Sequence, residues 1–122
     1  MAAAEKVVVV ITSGFDDERA SVAWSVANGG LTSGLKVTVF LTSNGVDWAR
    51  KGAADKAHLN PFDPSIKEMI DSFRERDGDI LVCPPCAKVR GYEEADLLDG
   101  VTVVGSTAVH DLIKQGAATL SF

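Results

Sequence analysis

The sequence predicts an α/β fold: a three-layer α/β/α domain on a mostly parallel five-stranded sheet with helices on both faces. Three observations carry that prediction. Val7-Val8-Val9-Val10-Ile11 is an unbroken β-branched run, the pattern of a central strand covered on both sides. Short apolar runs then alternate with segments of helical period along the whole chain, which is the order produced by helical crossovers between parallel strands. Finally, 122 residues, 46% of them apolar, suffice for one core, so residues 1–122 read as a single domain.

Taken in order, Thr12-Ser13-Gly14 ends the first strand. Asp16, Asp17 and Glu18 are acids at the expected start of a helix, where they meet the positive end of the backbone dipole. Ala20, Ala23, Trp24, Ala27 and Leu31 keep helical spacing, with Gly29-Gly30 near the end, and Trp24 falls on the apolar face. Val37 to Leu41 form the second strand, stopped by Thr42-Ser43-Asn44-Gly45. The stretch from Val46 to Pro64 has no clean period and reads as a partly helical loop able to cover a site, with Trp48 as a lid or subunit contact. Ser65 and Glu68 make an S-x-x-E capping box, followed by Ile66, Met69, Ile70 and Phe73 at helical spacing, with Met69 as core filler. Ile80 to Val82 form the third strand. A Pro-Pro turn opens a short helix towards Arg90, and Glu93 to Leu98 suggest another short helix. Val101 to Val104 form a fourth strand. Ser106 or Thr107 caps a helix carrying Val109, Leu112 and Ile113, and Ala118 to Phe122 close the chain as the last strand.

Charge and hydropathy exclude several roles. A net charge of −5 offers nothing to nucleic acid or to an anionic membrane. No stretch approaches the length of a membrane span. The N-terminal segment lacks a basic n-region and a sufficient apolar core, so no signal peptide is expected and the protein reads as cytoplasmic. There is no G-x-x-x-x-G-K-[ST], no G-x-G-x-x-G and no G-x-S-x-G, so nucleotide binding and serine hydrolysis have no motif. No cofactor is expected.

The chemistry concentrates in Ile80-Leu81-Val82-Cys83-Pro84-Pro85-Cys86-Ala87-Lys88-Val89-Arg90-Gly91, which holds both cysteines of the chain. Cys83 falls where a strand ends and a helix begins, at the sheet edge where ligands bind in such folds. A helix start favours a thiolate, although Pro84 and Pro85 have no N–H to offer and the nearest free donors belong to Cys86 and Ala87. Cys86, in the first turn, can approach Cys83, and C-x-x-C at a helix start is a redox geometry. In a reducing compartment such a pair is catalytic or metal-binding rather than a structural staple. Zinc is poorly served, because two thiols are joined only by His58 and His110, distant in sequence. Arg90 either stabilises a thiolate or an anionic sulfur substrate, or is a solvated cation at a helix end. His110 reads as a surface or satisfied histidine, and His58 reaches the site only if its loop folds over. Asp16, Asp17 and Asp47 read as caps and turn formers.

With these residues in hand, the chain resembles the DsrE/DsrF-like family, which includes the TusD-type sulfur-relay subunits. Cys83, Ala87 and Arg90-Gly91 are similar to that family's C-x-x-x-A-x-x-R-G pattern. Val7 to Gly14 resembles its opening strand, Val37 to Gly45-Val46 its second strand and the Asn/Asp-Gly-Val stretch beyond, and Val103 to Phe122 its ending. The resemblance implies a homo-oligomer, trimer or hexamer, with Cys83 carrying sulfane sulfur as a persulfide between a sulfur-donor and a sulfur-acceptor partner. Arg90 comes with the motif and without an assigned role. Cys86 and Pro84-Pro85 depart from it. A second thiol could attack a Cys83 persulfide, release sulfide and leave a disulfide, so dithiol redox chemistry stands as an alternative to persulfide transfer. A non-catalytic oligomeric binding module is the third reading.

Overall fold

The computed structural model describes residues 4–122. Five strands form one sheet: β1 (Lys6–Ile11), β2 (Lys36–Leu41), β3 (Asp79–Val82), β4 (Thr102–Val103) and β5 (Ala118–Ser121), in the order β4-β3-β2-β1-β5. Every pairing is parallel. The first strand is central, as its unbroken apolar run requires, with Val7 opposite Val37 on one side and Ala118 on the other. The helices are α1 (Arg19–Thr32), α2 (Ile66–Glu75), α3 (Pro84–Val89) and α4 (Thr107–Lys114).

Strand alternation divides the interior into two cores. Val7, Val9, Ile11, Val37, Val39 and Leu41 face α1 and α2, together with Ala20, Trp24, Ile70 and Phe73. Val8 and Phe40 point the other way and meet Val109 of α4. The layers are therefore unequal: α1, α2 and α3 contribute to the larger core, whereas the smaller rests on one eight-residue helix.

Local chemistry explains the boundaries. The α2 start is as expected: Ser65 is the N-cap and its hydroxyl accepts from the Glu68 amide at 3.2 Å. At α1 the acids act one step earlier than a cap, with Asp17 accepting from the Arg19 amide at 2.9 Å. Gly29 and Gly30 lie near the end of α1, as expected, and the helix runs on to Thr32. Gly30 lets the helix press on the sheet, since a Cβ there would lie 2.7 Å from Val37 Cγ2. Trp24 is fully buried and meets Phe73 edge-on, the centroids 5.8 Å apart.

The connection after β2 departs most from expectation. Its first part is a 3₁₀ helix, Ser43–Ala49, and Val46, Trp48, Ala49, Ala54 and Ala57 are all buried. Trp48 is 1% exposed and its Nε1–H donates to the Ser13 carbonyl at 2.9 Å. It is thus neither a lid nor a subunit contact, because its indole fills space between the ends of β1 and β2. Antiparallel pairing of Arg50 with Leu97 and the Lys51 N–H to Asp96 O bond of 2.8 Å tie the connection to the 3₁₀ turn Glu94–Asp96.

Gly45 fixes this loop in place. A Cβ at that position would lie 2.0 Å from the Ile11 carbonyl oxygen, a backbone atom that cannot yield without moving β1. Gly45→Ala is expected to cost about 2 kcal/mol or more, read as a lower urea midpoint. An unchanged midpoint contradicts the packing described.

Candidate functional site

Strand β3 delivers the dithiol segment to the carboxyl edge of the sheet. Cys83 is the N-cap of α3, extended at φ −64° and ψ 120°, and its N–H donates to Leu41 O at 3.0 Å, continuing the sheet ladder by one bond. Pro84 and Pro85 then open the helix, where an N–H has no intrahelical partner to lose. Both cysteines are free thiols and partly exposed.

The donors converge on Cys86. The Ser43 N–H reaches its Sγ at 3.2 Å, and the Thr42 hydroxyl lies 3.4 Å from the same sulfur. Ser43 holds a left-handed conformation, φ 52°, rare for a residue with a side chain and characteristic of strained functional positions. Thr42, first among the causes, and then the Cys83 thiol lower the Cys86 pKa. Burial opposes them, and the Ser43 amide and the Arg90 charge act in the same lowering direction. Helix α3 is only six residues long and starts with two prolines. The groups that favour a thiolate here therefore come mainly from the loop after β2.

Arg90 closes α3 and turns back on that loop. Its Nη1 donates to Cys86 O at 3.0 Å, its Nη2 donates to Asn44 Oδ1 at 2.8 Å, and its Nε lies 3.6 Å from Asp47 Oδ1. The Tyr92 hydroxyl donates to the same Asp47 oxygen. One guanidinium thus joins the cysteine helix to the 3₁₀ segment through planar, multidentate contacts that a lysine would not reproduce. Burial, and after it the hydrogen bond to Asp47, push the Tyr92 phenol above the ordinary tyrosine range.

Cys83, Cys86 and Arg90 are brought together, while the two histidines belong to other elements. His58 bonds the Asp63 carbonyl at 2.8 Å through Nε2, and His110 is exposed on α4. Among the described residues no group of three or more His, Cys, Asp or Glu side chains is placed to hold a metal ion. Sequence reasoning missed Thr42 and Ser43 as sulfur donors, and Asn44, Asp47 and Tyr92 as anchors of Arg90. The available signal was the Asn44-Gly45-Val46 stretch. Beside α3 runs a groove of about 620 Å³ whose walls include Pro84, Ala87, Lys88, Tyr92, Leu97 and Val103.

A five-stranded parallel α/β domain presenting thiols at its carboxyl edge defines a class of small cysteine-bearing α/β proteins. The chain belongs to the DsrE/DsrF-like family, whose model matches residues 5–122. It is 36% identical over 110 residues to the uncharacterized protein MJ0989 of Methanocaldococcus jannaschii, covering 88% of this chain and 89% of that one. It is 32% identical over 108 residues to the uncharacterized protein MK0008 of Methanopyrus kandleri, covering 88% of this chain and 82% of the other. Among solved structures, the ychN protein from E. coli matches with a TM-score of 0.78 at 19% identity, over 98% of this chain and all of that one (100%). MTH1491 from Methanobacterium thermoautotrophicum, a protein of unknown function, matches at 0.73 with 20% identity, over 96% and 98% of the two chains. These two likenesses concern the fold.

Tyr92 is the single tyrosine of the chain, so tyrosinate absorption reports on it alone. Its ionisation is expected above the ordinary tyrosine range, and Asp47→Asn is expected to bring the midpoint down by removing the carboxylate that opposes a phenolate. A midpoint that does not respond to Asp47→Asn contradicts the contact.

Proposed function

We propose that the protein is a cytoplasmic sulfur carrier that accepts sulfane sulfur from a donor persulfide, holds it on Cys83 as a persulfide and passes it to an acceptor thiol. The observation that carries this reading is the pair of free, partly exposed thiols at the sheet edge, one of them surrounded by N–H and O–H donors. Only a thiolate is nucleophilic enough to attack a sulfane sulfur, and donors at the sulfur raise its population at neutral pH. Membership in the DsrE/DsrF-like family supports the same chemistry. Cys83 lies at the first position of the family-like motif, and as the α3 N-cap it accepts from the Ala87 amide through its carbonyl at 3.1 Å while its sulfur makes no cap bond.

The partners are proteins or small molecules bearing persulfides and thiols. Among the described residues no helix is long and apolar enough to cross a membrane. Homo-oligomerisation, as a trimer or hexamer, belongs to the same proposal. It is supported by the thin cover over the second sheet face and by exposed apolar side chains, Phe62 at 96% and Val89 at 79% foremost. A second reading, a dithiol–disulfide redox protein, is favoured by the side-chain hydrogen bond through which the Cys83 thiol acts on Cys86.

Incubation with a small-molecule persulfide followed by intact-mass measurement tests the proposal. The wild-type protein is expected to gain one sulfur atom, localised by fragmentation to Cys83, and Cys83→Ser/Cys86→Ser none. No gain on the wild type, or a gain that persists in the double variant, contradicts persulfide carriage. A wild type that instead loses two hydrogens and gains no sulfur supports the redox reading.

A further inference from the structure

The two thiols are unequally surrounded, and the first donor to one of them comes from outside the dithiol motif. Cys86 Sγ faces two donors from the loop after β2, the Ser43 N–H at 3.2 Å and the Thr42 hydroxyl at 3.4 Å. Cys83 Sγ has no backbone N–H or hydroxyl donor among the described residues, and its thiol instead acts on Cys86 through a side-chain hydrogen bond. A thiolate has no hydrogen to give, so against an ionised Cys86 the Thr42 hydroxyl is the donor. The Thr42 hydroxyl, the Cys83 thiol, the Ser43 amide and the Arg90 charge favour the anion here, and burial opposes it. Arg90 lies on its own helix and Cys83 beside it, while Asp47 and Tyr92 are engaged with each other and Asp47 is paired with Arg90.

We infer that Cys86 is the thiol that first attacks the sulfane sulfur, and that the Thr42 hydroxyl and the Ser43 amide are the groups that hold its sulfur as an anion. The inference rests on the sulfur-carrier reading and assigns the order of its steps. In the first step the Cys86 thiolate attacks the outer sulfur of a donor R–S–SH. The new bond is Cys86 S–S, the donor's S–S bond breaks, and R–S⁻ leaves with the electron pair. In the second step Cys83, having lost its proton to solvent, attacks the same outer sulfur. Cys83–S–SH forms and Cys86 leaves as thiolate. The sulfane sulfur keeps its oxidation level throughout, so neither step consumes an oxidant or a reductant. The same donors serve both steps, because they stabilise Cys86 first as the attacking anion and then as the leaving group, and a thiol of lower pKa leaves faster. Thr42 is thus a specific contributor to the reaction, and its backbone is placed by the bond from its N–H to Ile11 O at 3.1 Å.

Iodoacetamide alkylation over a range of pH tests this without any sulfur donor, so its failure is distinct from failure of the carrier reading. The chain has two cysteines, so each single variant presents one thiol. At a pH about two units below the ordinary thiol range, Cys83→Ser, which retains Cys86, is expected to alkylate about tenfold faster than Cys86→Ser. Adding Thr42→Val to Cys83→Ser is expected to slow that alkylation about fivefold and to move its pH midpoint upward, with Thr42→Ser restoring both. At a pH above the ordinary range the rates converge, which a merely structural defect would not produce. Equal or reversed reactivity of the two single variants overturns the inference even if Thr42→Val fails to fold. A Thr42→Val profile matching its parent overturns the role of the hydroxyl. With a persulfide donor, Cys83→Ser is expected to load sulfur on Cys86 and Cys86→Ser to load about tenfold more slowly than wild type. Absence of loading in every form, with the alkylation difference intact, would overturn the carrier reading and the order of its steps while leaving Thr42 and Ser43 as the groups that hold the Cys86 anion.

Discussion

The backbone of Gly45 rests against the carbonyl of Ile11 at a separation no side chain could share. That contact joins the end of the central strand to the loop that follows its neighbour, and the site depends on it. The loop must turn immediately after β2, so Ser43 adopts a left-handed conformation. The turn aims the Ser43 amide at Cys86 and leaves Asn44 and Asp47 where Arg90 can bind both. Trp48 seals the arrangement from below by filling the space beneath Ser13 and Phe15, with the Phe15 and Trp48 ring centroids 4.5 Å apart. Backbone strain at Ser43 is thus offset by packing and hydrogen bonding on both sides of it.

The plan of the domain was legible in its residues because its signals are local. The β-branched run of Val7 to Ile11 and the Ser65 cap with its following apolar stripe are each decided within a dozen residues. The strand order is not local, yet alternation of strand and helix leaves few parallel arrangements to consider. The loop from Val46 to Pro64 was illegible for the opposite reason. Its buried residues, Val46, Trp48, Ala54 and Ala57, follow no period, because they plug the gaps at the sheet edge rather than line one face. Trp48 among polar neighbours therefore looks like a surface aromatic until β1 is placed beside it.

The site divides in the same way. Cys83, Cys86 and Arg90 could be named from one short segment, and so could the junction of strand and helix that presents them. The donors to Cys86 could not, because Thr42 and Ser43 lie more than forty positions earlier in the chain. A dipole argument centred on Cys83 looks to the helix that follows it. That helix is six residues long and begins with two residues lacking an N–H, so a neighbouring strand end supplies the donors instead. The prolines still have a clear effect: they set the start of α3 so that Cys86, one turn on, comes under Thr42 and Ser43.

The central claim is that a loop distant in sequence sets the ionisation of one thiol in a pair. Selective isotopic labelling of the two cysteine β-carbons, followed by NMR through a pH titration, measures this at each sulfur separately under native conditions. The account predicts a Cys86 midpoint below the ordinary thiol range, moved upward by Thr42→Val. A Cys86 midpoint at or above the ordinary value, or one that Thr42→Val leaves in place, would contradict the account.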